Sequence, residues 1–355
     1  MGLVTEIARD VSTAKPLREL VYTICPVLVA SNVALELGWL DDELARVGAR
    51  ATYLRSLAEK GVWKRHYNHG SERLIRDGGN SPAIWAKADL RPTVLLGLTF
   101  AQPAGKVIVR ASDDIYRLAD LKGRRLGIYR SENADKIDFR RATTQQGLSN
   151  ALAIAGLSAT DVEWIDISDA DSHAEVPAAT PAGIWAQADH RETRESRALL
   201  QGRVDAIYDA SIGVASGLER SGAFKVVEDL ERYPDWTLRV TNAPRTIAVS
   251  SEFADANRDV VVAYLRAAIR AGRWINANPD AAAEVFRRTT VYPDAREIAR
   301  ELRKYDLVPN LSAQNLVGLE IEKNFLLAHG YIEHDFDVRA WADGSYLDEA
   351  LKSLS

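Results

Sequence analysis

The sequence predicts a two-lobed α/β protein with a helical C-terminal region. Three observations carry that reading. The chain has 355 residues, beyond the roughly 250–300 at which a single core stops growing, so two cores are expected. Strand-like runs alternate with helical stretches from Leu17 to Ser251, the pattern of parallel sheets with crossover helices. From Asp255 onward the chain reads almost wholly helical.

The elements follow in order. LRELVYTI reads as a first strand, and an apolar helix from Val27 to Leu37 stops at Gly38, a residue suited to a helix C-terminus. Further strands are expected at ATYLRS, PTVLLGLTF, GKVIVRAS, RRLGIYR, VEWIDIS, VDAIYDAS, FKVVEDL and TIAVSS, each an apolar, β-branched-rich run bounded by turn residues. Helical periodicity then governs VVVAYLRAAIRAGRWINANP, DAAAEVFRRTT, PDAREIARELRKY and SAQNLVGLEIEKNFLLAHG, a tail that must pack on one of the sheets. The Ala/Pro-rich stretch VPAATPAG, Val176 to Gly183, reads as a loop and a candidate lid.

Composition removes several classes of function. The chain is 46% hydrophobic and 27% charged, an ordinary globular balance. Its 45 basic and 50 acidic residues are mixed along the chain to a net charge of -5, with no basic run to track a phosphate backbone, so no nucleic-acid partner is expected. No window approaches the roughly 18 apolar residues of a membrane span, and MGLVTEIARDVSTAK lacks an apolar signal core, so a cytoplasmic protein without membrane contact is expected. The single cysteine, Cys25, rules out an internal disulfide and leaves a thiol for chemistry in a reducing compartment. No GxGxxG follows a strand, and His66 and His69 lack a third ligand nearby, so neither a dinucleotide nor a metal is expected and no cofactor is assigned.

Two strings point to a site. Cys25 precedes Pro26, and proline favours the first position of a helix, which would make Cys25 the N-cap and expose its sulfur to the helix's positive end, favouring the thiolate. In Arg76-Asp77-Gly78-Gly79-Asn80-Ser81-Pro82, glycines permit close backbone approach, Asn80 or Ser81 can cap, and Pro82 can open a helix. A guanidinium beside such a terminus can hold two oxygens of a sulfinate, sulfonate or carboxylate. His66 is the candidate proton donor or hydrogen-bond partner over the same anion. His69 reads as a surface residue, and of the tryptophans Trp185 is ranked as a substrate contact.

Three strings resemble the nitrate, sulfonate and taurine-type solute-binding proteins: ADLKGRRLGI (Ala119 to Ile128), GRVDAIYDASIGVA (Gly202 to Ala215) and WINANPDAAAEVF (Trp274 to Phe286). The resemblance implies the type II periplasmic-binding-protein-like fold, with a ligand cleft between lobes. Lobe I would take residues 15–110 plus 240–355 and carry Cys25, His66 and Arg76; lobe II would take 111–239 and carry the lid, 176–197. Over nearly the whole chain the sequence is also similar to the 2'-hydroxybiphenyl-2-sulfinate desulfinases, enzymes on this fold. The strings are YTICP, His66 and Arg76 leading into Gly78 and Gly79, LLGLT, the EVP of Glu175 to Pro177, LVPNL (Leu307 to Leu311), NFLL and the terminal WA.

That similarity implies an active site of Cys25, His66, Arg76 and Gly79, with Thr23 where the family has serine and Ser71 where it has glutamine. The segment from Ser131 to Ser149 departs further, with Asp135, Lys136, Asp138, Arg140 and Arg141, which implies a kept chemistry and a changed substrate. The expected activity is a cofactor-independent carbon–sulfur lyase, in effect a sulfinate hydrolase, that releases sulfite from an aromatic sulfinate, with a small organic anion as partner and a monomeric state. Cys25 can serve as nucleophile or as proton donor. The alternatives are a non-catalytic solute-binding protein for such an anion, and a lyase acting on another oxyanion.

Overall fold

The structure, a computed structural model, describes residues 18–169, 177–185 and 193–354. Ten strands are found among the described residues: β1 Arg18–Ile24, β2 Ala49–Tyr53, β3 Leu74–Gly78, β4 Thr93–Thr99, β5 Lys106–Arg110, β6 Arg125–Ser131, β7 Glu163–Asp169, β8 Ile207–Asp209, β9 Phe224–Asp229 and β10 Arg245–Ser250. Nine lie within or beside the runs named above. The exception is β3, a fully buried strand whose sequence LIRDG has too few apolar residues to announce itself.

The first sheet has the order β2-β1-β3-β10-β4, with β1 parallel to β2 and β3, and β10 antiparallel to both neighbours. In the second lobe β5 lies antiparallel between β8 and β9, and β6 is parallel to β7. A bridge from Leu126 to Ala206 sets the β6-β7 pair beside β8. Both lobes thus repeat one order: second, first, third, a strand arriving from the other lobe, fourth. The arriving strands run antiparallel, so the parallel sheets expected are mixed.

The chain crosses between lobes after β4 and again after β9. The divide at 110 therefore falls one strand late. Val107, Ile108 and Val109 are each 0% exposed and pack into the two core clusters of the second lobe, so burial and pairing both place β5 there.

Helices cover both faces of the first sheet. Ala30–Glu36 and Arg258–Ala277 pack on one side with Leu20, Tyr22 and Ile75. Asn80–Trp85 and Ala313–Ala328 pack on the other with Leu95 and Leu98. The lobes also touch directly. Ile137 and Ala142 of the second lobe share a core cluster with Leu319 and Leu326, Tyr67 stacks on Phe139 at 6.1 Å, and Lys64 Nζ meets Asp135 Oδ2 at 2.5 Å. Among the described residues no helix is long and apolar enough to cross a membrane.

Candidate active site

Cys25 follows directly on β1, and its amide donates to Asp77 O at 2.8 Å, extending the β1–β3 ladder by one step. The chain then bends. Val27 N donates to Cys25 O at 2.8 Å, and Asn32 Nδ2 reaches both Cys25 O and Val27 O, at 3.3 and 3.0 Å. The helix begins only at Ala30, with Val29 as its N-cap. Cys25 is therefore not an N-cap: the fixed φ of Pro26 serves a tight bend here, and the thiol's surroundings are set by side chains.

Those side chains converge. His66 Nε2 lies 3.4 Å from Cys25 Sγ, and Arg76 Nη2 donates to the same sulfur at 3.2 Å. Thr23 Oγ1, 1% exposed, is 2.7 Å from His66 Nδ1, so it fixes the ring's orientation by whichever proton the tautomer allows. Arg76 is 1% exposed; its Nε donates to His66 O at 2.8 Å and its Nη1 to Gly79 O at 2.6 Å. All three guanidinium nitrogens thus have protein acceptors. Three of the group's five N–H bonds are used in this way, so Arg76 is a buried brace that ties the histidine, the glycine loop and the thiol together.

The glycines are explained by contact. A Cβ on Gly78 would stand 2.2 Å from Cys25 Sγ, and one on Gly79 would stand 2.5 Å from both polar atoms of the Asn242 side chain. Asn242 Oδ1 accepts from Ser81 N at 3.1 Å and from Ser81 Oγ at 3.0 Å, so one amide of the expected anion-binding helix start is already taken by protein. Asn242 lies in the second crossover, far away in sequence, and no local signal marks it.

Burial above all, and then Arg76, lowers His66 well below 6.5, so the ring is neutral at physiological pH. Arg55 and Lys136 act in the same direction, which makes this part of the cleft attractive to an anion. Asp77, buried under the site, accepts from Ser31 Oγ at 2.5 Å and is pushed up to about 7 by burial. His69 is 2% exposed, not on the surface as expected, and burial lowers it to about 3.

Ser71 sits in the turn before β3, its amide donating to His69 O, and among the described residues no bond ties it to Cys25, His66 or Arg76. Trp185 ends the short helix Ala182–Trp185 and is half-buried. The preceding residues lie on the first lobe: Ala178 N donates to Arg55 O at 3.3 Å, and Ala178 and Ile184 pack against its core. Of the lid expected at 176–197, residues 176 and 186–192 lie outside the described residues. A cavity of about 540 Å³ opens between residues 55–63 and Pro177–Ala179. Trp63 on its wall meets Tyr67, which meets His66 in turn at 4.8 Å. Lys136 Nζ stands 5.2 Å from the Tyr67 ring.

The chain is similar to known proteins throughout. Residues 81–181 match the NMT1/THI5 like family. The chain is 27% identical to 2'-hydroxybiphenyl-2-sulfinate desulfinase of Rhodococcus erythropolis and equally to that of Rhodococcus qingshengii, over 94% of this chain and 93% of each relative. Among solved structures, a cysteine-to-serine variant of the desulfurization enzyme DSZB with biphenyl-2-sulfinic acid superposes with a TM-score of 0.73 at 23% identity, covering 95% of this chain and 99% of that one. The periplasmic sulfonate-binding protein SsuA of Methylobacillus flagellatus KT superposes at 0.69 and 18% identity, covering 96% of both chains. The fold is that of these sulfonate binders.

Proposed function

We propose that the protein is a cofactor-independent desulfinase that cleaves the carbon–sulfur bond of an aryl sulfinate and releases sulfite. The observation that carries this reading is the convergence of His66 Nε2 and Arg76 Nη2 on Cys25 Sγ, at 3.4 and 3.2 Å. The similarity to the Rhodococcus desulfinases over 94% of the chain supports it. A free thiol suits a reducing compartment, which supports a cytoplasmic setting for the reaction.

The net reaction is sulfinate plus water giving arene plus bisulfite. Cys25 S–H gives its proton to the ring carbon that bears sulfur, the electrons of the breaking carbon–sulfur bond stay with the ring, and sulfur dioxide leaves. Water hydrates the sulfur dioxide to bisulfite and releases a proton. Arg76 can only donate, so it steadies the thiolate formed. Neutral His66, its other nitrogen on Thr23, returns the proton to sulfur.

Cys25→Ser tests this. A hydroxyl keeps the shape but is a far weaker acid than a thiol, so sulfite release from aryl sulfinates should fall at least about 10³-fold while calorimetry still detects ligand binding. Turnover of the serine variant at the wild-type rate would remove the thiol from the mechanism. Binding by both forms with sulfite from neither would make the protein a solute receptor.

A further inference from the structure

One buried cluster in the cleft has no part in breaking the carbon–sulfur bond. Arg245 opens β10 and is 4% exposed. Its Nη1 donates to Asn242 O at 2.5 Å and its Nη2 to the Gln102 side chain, while Nε has no partner among the described residues. Gln102, also 4% exposed, turns its Nε2 to Ala210 O of the second lobe at 3.5 Å. A buried N–H without an acceptor is costly, and a guanidinium without a bonded carboxylate more so. A ligand oxygen would relieve both.

The cluster adjoins the thiol. Thr246, next to Arg245, pairs with Gly78 across the sheet, and Gly78 is the residue packed against Cys25 Sγ. Val291 N donates to Pro26 O at 3.2 Å, so Tyr292, 5% exposed, stands beside the Cys25-Pro26 bend. Its phenol feels Arg245, by charge and by a side-chain hydrogen bond, and the charges of Asp209 and Cys25. Asp209 closes this end from the second lobe, its Oδ1 held by Ser211 N at 2.7 Å. His66 and the aromatic wall thus adjoin the cysteine, and so does this cluster of buried donors.

We propose that Arg245, Gln102 and Tyr292 form a second subsite that binds an anionic oxygen of the substrate, so that the preferred substrate is an aryl sulfinate carrying a second acid group such as a carboxylate. This rests on the desulfinase reading for the sulfinate end alone. Arg245 supplies fixed charge and an unused N–H, and Tyr292 supplies a hydroxyl that can donate; both suit an acceptor.

The test compares benzenesulfinate with its ortho-, meta- and para-carboxylated forms, by calorimetry on the intact protein and separately by sulfite release. At least one carboxylated form should bind about 30-fold tighter than benzenesulfinate, the effect of one charge-assisted contact. Arg245→Met should erase that preference and leave benzenesulfinate affinity unchanged. Tyr292→Phe, which removes only a hydroxyl, should reduce the preference about fivefold, and it serves as the second variant if Arg245→Met loses its circular-dichroism spectrum. The proposal is overturned if no carboxylated form is preferred, or if the folded variants lose both ligands equally. Should no sulfinate release sulfite, the desulfinase reading fails, while calorimetry still decides the subsite.

Discussion

Arg76 serves three acceptors with three nitrogens: His66 O, Gly79 O and Cys25 Sγ. A lysine keeps the charge but has one nitrogen on a flexible stem, so Arg76→Lys leaves buried acceptors unmet. The expected costs are about 2–4 kcal/mol in denaturant unfolding and about 10²-fold in kcat, with KM nearly unchanged because Arg76 positions the thiol. A large rise in KM at constant kcat would restore the two-oxygen clamp. Thr23→Val, which frees the His66 ring, should lower kcat about tenfold, and Thr23→Ser should recover it; failure of the serine rescue would refute the positioning role. At this scale the sequence was informative about chemistry and poor about surroundings. Cys25, His66 and Arg76 announce themselves by residue type. Nothing local tells that the guanidinium is 1% exposed and bonded through all three nitrogens, or that His69, in a left-handed turn at φ 51, is buried.

The elements were legible wherever apolar residues set the pattern. β1, β4, β5 and β10 are apolar runs and were readable as strands; β3 holds Arg76 and Asp77 at consecutive buried positions and reads as a polar loop. Its polar residues are there because both of its neighbours, β1 and β10, leave it central in the sheet, where Arg76 can be braced on the sulfur. The misplaced helix start has a similar cause. Pro26 fixes φ equally well for a bend and for a first helical turn, and the Asn32 side chain, bonded to Cys25 O and Val27 O, with the Val27 amide on Cys25 O, decides between them. The join of β1 to β3 gives a sharp test. A Cβ on Gly78 would lie 2.2 Å from Cys25 Sγ and 2.4 Å from its Cβ, and the Cys25 amide is tied to Asp77 O, so the strands cannot part to make room. Gly78→Ala should cost about 1–3 kcal/mol in stability and displace the thiol enough to remove most turnover. A variant with native kcat would mean that the loop relaxes freely.

Over the whole molecule, length and alternation gave the two lobes, but the membership of β5 depended on pairing with β8 and β9 across the second sheet, which no local pattern carries. The same holds for the direct seam of Ile137 and Phe139 against the first lobe. What spans the assembled molecule is a set of carboxyls held away from water: Asp77, buried in β3, Asp209, half-buried at the tip of β8, and Glu322, buried in the Ala313–Ala328 helix and bonded to Ser81 and the Asn242 amide. Burial raises Asp77 and Asp209 from 3.8 to about 7 and Glu322 from 4.5 to about 8. Between those limits the folded chain holds protons that the unfolded chain has lost, so stability falls as pH rises. The buried histidines oppose this mainly on the acid side. His66 and His69 are lowered from 6.5, so their contribution grows as pH climbs through 6.5 and is complete about one unit above it. From about pH 6.5 to 8 the three carboxyls outweigh the two histidines, whose opposing contribution fades by about pH 7.5, and the thermal midpoint should decline across that interval. Glu322→Gln, which cannot ionise, should reduce the slope across the whole interval, with Asp77 and Asp209 alone driving what decline remains. A midpoint that is level or rising from pH 6.5 to 8 in the wild-type protein would show that these carboxyls meet water or a counter-charge in solution, and the buried network beneath the thiol would then lose its physical basis.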